Sequence, residues 1–136
     1  MQRYIQDPLL INAHKSDMRV YVAVTSVQPL RVYVYEDGLV RFATSPYSTS
    51  KASLKNRGVH LTNYSVNKSK QGFVRGEDGA GSKWSLKAFF RHLDEGSAPG
   101  GSARVWEQIC NIVARTLSAV EPKITSLVRV RAGQWS

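Results

Sequence analysis

Cysteine is nearly absent. The single Cys110 excludes an intrachain disulfide and a cysteine-based zinc cluster, and fits a reducing compartment. Long apolar runs are missing too, since no segment approaches the roughly 20 apolar residues of a membrane span. Met1-Gln2-Arg3-Tyr4-Ile5 has neither the apolar stretch nor the small-residue cleavage site of a signal peptide. These absences lead us to expect a water-soluble, cytosolic chain with no membrane partner. Acids are scarce: 10 Asp and Glu stand against 19 Lys and Arg, for a net charge of +9, and Glu121 is the last carboxylate. The field of such a chain attracts polyanions. Its cations are dispersed rather than gathered into a tract, and interleaved surface aromatics are missing, which argues against a nucleic-acid partner. The glycine-rich segment 72–81 lacks phosphate-loop spacing, and there is no internal repeat or low-complexity tract.

With 136 residues the chain has the length of one domain and can bury a core. Period-two alternation rich in Val, Tyr and Phe predicts strands over 19–26, 31–36 and 39–43. Gln28-Pro29 is the expected first turn and Asp37-Gly38 the expected two-residue hairpin turn of an antiparallel meander. Residues 44–58 and 68–82, rich in Ser, Lys, Asn and Gly, read as loops. Leu86, Phe89, Phe90 and Leu93 mark a helix over 84–93. Val105, Ile109, Ile112, Val113, Leu117 and Val120 mark a second, with Ser102 as its N-cap and Pro122 as its end.

Two stretches carry chemistry. Lys15-x-Asp17-x-Arg19 places three charged side chains on one face of an extended segment, roughly 6 to 7 Å apart. A carboxylate between two cations suits a nucleotide, the acid accepting from a sugar hydroxyl and the cations meeting phosphate oxygens. A salt-bridge ladder on a wet face is the plainer reading of the same pattern. The run from His60 to Lys68 is polar in an order that strand packing does not require. Within it Asn63 also suits a turn residue bonding its own backbone, and His60 reads as a hydrogen-bonded packing histidine. Cys110 reads as a buried inert thiol, and Trp84 and Trp106 as core.

Gln2-Arg3-Tyr4-Ile5 with Pro8-Leu9-Leu10-Ile11, Lys15-x-Asp17-x-Arg19-x-Tyr21-Val22, Gly38 to Thr44, His60 to Ser65 and Lys83-Trp84-Ser85-Leu86 resemble, in order and spacing, the tubulin tyrosine ligase-like proteins, in their polyglutamylase branch. The resemblance implies an α+β fold: a partial ATP-grasp domain over residues 1–131, an antiparallel sheet with helices packed on one face, followed by an off-family tail over 132–136. It implies an ATP-dependent ligase, monomeric, that adds free L-glutamate to glutamate side chains of acidic tubulin tails through an acyl phosphate, working at microtubules and cilia. A noncatalytic binder of nucleotide or tubulin tails is the alternative. Carried over by motif, Gln2, Arg3, Tyr4 and Ile5 border adenine; Lys15, Asp17, Thr62 and Asn63 hold ATP; and Arg19 faces the terminal phosphate. Arg41 stands between the γ-phosphate and the incoming glutamate, while Tyr64, Ser65 and Lys83 hold the amino acid. The family's Mg²⁺ ligands, an aspartate and then a glutamate and asparagine beyond the second helix, have no counterpart here, so the chain reads as a fragment or truncated form.

Overall fold

The computed structural model describes residues 3–69, 72–76, 78–96 and 100–132, apart from the side chains of 129, 131 and 132. Four strands, β1 (Leu10–Ile11), β2 (His14–Val27), β3 (Leu30–Phe42) and β4 (Lys83–Ser85), form one sheet in the order β1-β2-β3-β4. The helices are α1 (Arg57–His60), α2 (Tyr64–Asn67), α3 (Leu86–Glu95) and α4 (Gly101–Ala132), with a 3₁₀ turn at Lys51–Lys55. The chain divides into two compact units, Met1–Arg19 with Asp37–His92, and Val20–Glu36 with Leu93–Ser136.

The meander departs from the pattern expected of its sequence at Asp37-Gly38. Gln28-Pro29 turns the chain as anticipated, but β3 runs straight through Asp37-Gly38 instead of folding back. A long-range contact overrides the local turn signal. Gly38 is buried, and a Cβ there would overlap the Arg19 carbonyl oxygen of the neighbouring strand. Glycine inside a strand marks such a close backbone approach. Asp37 is also engaged: its Oδ1 accepts from the Gly38 amide at 2.7 Å and from the Lys87 amide of α3 at 3.3 Å.

The β1–β2 turn places Asn12 and Ala13 at φ of 50° and 64°, the left-handed pair that a two-residue hairpin requires. Ala13 bears that conformation against its Cβ, held by its carbonyl accepting from the Tyr47 amide at 2.8 Å. In the first unit Val40, Leu86 and Phe89 are fully buried, with Phe42 and Trp84 beside them at a ring separation of 4.7 Å. Trp84 is core, as expected, but it belongs to strand β4 rather than to the following helix, paired with Val40. Ser85 closes that strand and caps α3, its Oγ accepting from the Ala88 amide at 3.0 Å.

In the second unit α4 continues through Pro122 to Ala132. A proline forfeits one backbone hydrogen bond and strains the preceding turn, at a cost of about 3 kcal/mol. A 32-residue helix with no glycine after its first residue absorbs that cost. Its better-covered stripe is Val105, Ile109, Val113, Leu117, Glu121 and Thr125, at steps of four; Ile112 and Val120, expected on it, are exposed. Cys110 is half-buried and free. Ser102 lies inside the first turn, not at the cap. The cap comes from Asp94, whose Oδ1 accepts from the Ser102 amide and Oδ2 from its hydroxyl, each at 2.8 Å.

Those bonds hold the Asp94 carboxyl below its ordinary range. Asp78, which accepts from the Ser85 hydroxyl and amide, is lowered in the same way. Both therefore stabilise the fold fully above their unfolded value of about 3.9, and lose that contribution as pH falls through the depressed folded values. In acid titrations followed by circular dichroism, Asp94→Asn should flatten the loss of helix below about pH 4 relative to wild type.

Candidate functional site

The strands bring charged residues into a row. Lys15, Asp17 and Arg19 alternate along β2 and so share one face, as their spacing predicts. From β3, Arg41 reaches Asp17 with two bonds, Nε donating to Oδ1 at 3.1 Å and Nη2 donating to Oδ2. The bidentate fork, chiefly through its hydrogen bonds, raises the Arg41 pKa against the opposing effect of burial. In the β3–β4 register Arg41 lies directly opposite Lys83. Residues opposed across a ladder have Cβ atoms roughly 5 Å apart, and like charges there repel. Asp17 offsets the Arg41 side of the pair, whereas Lys83 has no ion-pair partner among the described residues.

Beneath this row is a cavity of about 20 Å³ lined by Arg41, Phe42, Thr62, Tyr64, Asn67, Phe73, Ser82 and Lys83. Thr62 and Tyr64 reach it because the His60–Lys68 run is neither strand nor plain loop: α1 and α2 are single turns flanking Leu61-Thr62-Asn63. Asn56 caps α1, accepting from the Gly58 amide at 3.0 Å. Asn63 stands at the N-cap of α2, but its side chain makes no capping bond. The clamp on the run is Asn67, 1% exposed, whose Nδ2 donates to the Leu61 carbonyl at 2.9 Å. Its Oδ1 is buried without a partner. The cavity has room for about one water.

A second cluster gathers around Lys15. Its ammonium lies 4.6 Å from the centre of the Tyr4 ring and 3.4 Å from both the Tyr4 hydroxyl and the His60 carbonyl oxygen. His60 is hydrogen-bonded at both ring nitrogens, Nδ1 with the Tyr4 hydroxyl at 2.9 Å and Nε2 with the Ser53 carbonyl at 3.1 Å. A neutral ring donates from Nε2 and accepts at Nδ1. This is the packing histidine expected of it. Tyr47 packs edge-on against it at 5.8 Å and donates its hydroxyl to the Gln6 carbonyl at 2.7 Å. Partial loss of solvent, then the Tyr4 hydroxyl, pushes the Tyr47 phenol above its ordinary range.

The structure thus unites Asp17, Arg41, Thr62, Tyr64 and Lys83, and sets Lys15 with Tyr4. Arg3, Tyr4 and Ile5 line an open hollow with Gln6 and Asp7. Gln2 lies outside the described residues. Arg19 and Ser65 are exposed and line none of these cavities. Among the described residues no three His, Cys, Asp or Glu side chains converge on a metal position. Asn67, Phe73 and the Tyr4–His60 bond were not singled out from sequence; only the polarity of the His60–Lys68 run hinted at Asn67.

An antiparallel sheet combined with helices in this way is an α+β arrangement, part of an ATP-grasp fold. Residues 1–133 match the tubulin-tyrosine ligase family, and the chain belongs to that family. It is 44% identical to tubulin monoglutamylase TTLL4 of Homo sapiens over 133 residues, covering 96% of this chain and 11% of that protein. Tubulin polyglutamylase ttll-5 of Caenorhabditis elegans is 41% identical over 135 residues, covering 95% of this chain and 18% of that protein. Tubulin polyglutamylase TTLL13 of Homo sapiens is 48% identical over 118 residues, 85% of this chain and 14% of its own length. The chain spans less than a fifth of each of these relatives.

Proposed function

We propose that this chain forms the nucleotide- and amino-acid-facing part of an ATP-dependent ligase that joins glutamate to glutamate side chains on tubulin tails. The opposed Arg41 and Lys83, with Asp17 on one flank, carry the reading. A sheet that sets two cations against each other is poorly arranged until an anion lies between them. Relatives named as tubulin mono- and polyglutamylases support the choice of substrates, and a net charge of +9 favours the approach of acidic tails.

In this reading Gln2, Arg3, Tyr4 and Ile5 border the adenine. Lys15 and Asp17 hold the sugar and phosphates, Thr62 and Asn63 hold further phosphate oxygens, and Arg19 meets the terminal phosphate. Arg41 bridges that phosphate and the incoming glutamate, whose carboxylate suits a planar fork. Tyr64, Ser65 and Lys83 orient the amino acid. An oxygen of the acceptor carboxylate attacks the γ-phosphorus and ADP leaves. The glutamate amine then attacks the acyl carbon, expelling inorganic phosphate and losing a proton as the isopeptide bond forms. Arg41 and Lys83 offset the negative charge that builds in both steps. No three His, Cys, Asp or Glu side chains converge among the described residues, and no step here is assigned to magnesium. A second reading is that the chain holds nucleotide or tubulin tails without catalysis, at microtubules or cilia.

Neutralising Lys83 tests the carrying observation because stability and binding should move in opposite directions. Lys83→Gln should raise the unfolding free energy measured in urea by about 0.2–1 kcal/mol, as the like-charge pair disappears. It should also weaken the binding of ATP or glutamate in calorimetry. A fall in both would mean that Lys83 serves the fold alone.

A further inference from the structure

Next to the cation row, Tyr64, Phe73, Val74, Arg75, Gly76 and Lys83 enclose a pocket of about 230 Å³, the size of a small amino acid. Tyr64 and Phe73 meet edge to face at 5.6 Å and form its apolar wall. Arg75 and Lys83 are its charged residues; no carboxylate lines it, and neither cation is ion-paired among the described residues. The backbone fixes this juxtaposition. The Ser82 amide donates to the Val74 carbonyl at 3.0 Å, and the Val74 amide to the Ser82 hydroxyl at 3.1 Å, so 73–75 runs beside 82–83. Glycine is required where the two segments close up: a Cβ at Gly81, with φ of 77°, would lie 2.8 Å from both the Gly76 nitrogen and the Val74 oxygen. The nearby Asp78 carboxylate is occupied by Ser85.

We propose that this pocket receives the side-chain carboxylate of an acidic amino acid, and that Arg75 is the residue selecting an acidic side chain over its amide or a shorter one. The inference rests on the amino-acid site proposed above. Two cations with no ion-pair partner among the described residues, set against an apolar wall, favour a compact anion. They leave an uncharged isostere without compensation for displacing the water on both cations.

Arg75 is exposed, so its replacement leaves the packed core intact, and circular dichroism checks each variant. Calorimetric titration of the chain with L-glutamate, L-glutamine, glycine and ATP, in wild type and Arg75→Ala, provides the test. Wild type should prefer glutamate over glutamine by tenfold or more. Arg75→Ala should weaken glutamate at least tenfold while changing glutamine and ATP by less than twofold. Unchanged glutamate affinity, or equal loss for glutamate and glutamine, overturns the selecting role and leaves the ligase reading standing. Loss confined to ATP would assign the pocket to phosphate and overturn the inference as well. A folded wild type that binds neither ATP nor glutamate overturns both readings together.

Discussion

Gly38→Ala should lower the stability of the chain by about 3 kcal/mol or more, the largest effect expected of any single methyl group here. A Cβ at position 38 overlaps the Arg19 carbonyl oxygen, a backbone atom of the paired strand that cannot rotate aside. Relief requires β2 and β3 to separate where they also hold Asp17 against Arg41. Overpacking of a rigid site commonly costs 1–3 kcal/mol, and here a backbone shift adds to it. Urea denaturation followed by tryptophan fluorescence measures the effect directly, since Trp84 lies in the core of that unit. A destabilisation below about 1 kcal/mol would mean that the strands can part without loss. If Asp37-Gly38 were an exposed hairpin turn instead, alanine would incur only a strained local conformation.

Arg41→Ala should reduce ATP affinity by about ten- to a hundredfold, the equivalent of losing charge-assisted hydrogen bonds of 1.5–3 kcal/mol. Arg41 is only partly exposed, at 22%, and its Asp17 partner is at 35%, so the unpaired carboxylate regains water and the chain stays folded. Arg41→Lys should fail to restore affinity, because an ammonium cannot hold Asp17 and a second anion with one planar fork. Asp17→Ala should also weaken binding, through release of the Arg41 fork together with loss of its own acceptor oxygens. Calorimetry on the three variants distinguishes these effects. Full affinity in Arg41→Lys would reduce the site to a simple positive field.

Much of this architecture was legible where a period was long enough to be read. β2, β3, α3 and α4 were legible in their alternation and apolar spacing, although β2 buries none of its residues and its Val22 and Val24 stand exposed. Asp37-Gly38 misled because turn propensity is local while the contact with Arg19 is not. Strand β4, three residues long, and α1 and α2, one turn each, are too short to leave a period. The shared strand face of Lys15, Asp17 and Arg19 was legible in their spacing, though Arg19 lines none of the cavities described above. The Asp17–Arg41 fork and the Arg41–Lys83 opposition depend on register between strands distant in sequence. Arg75 was hidden for the same reason, since only the Val74–Ser82 bonds bring it beside Lys83.

Titration of ATP into the folded wild-type chain, with and without Mg²⁺ and with a random oligonucleotide as competitor, tests the central claim most directly. The account predicts one ATP per chain, bound with little dependence on Mg²⁺ and not displaced by the oligonucleotide. Binding of the oligonucleotide in place of ATP, or no heat with ATP from a cooperatively folded chain, would contradict it.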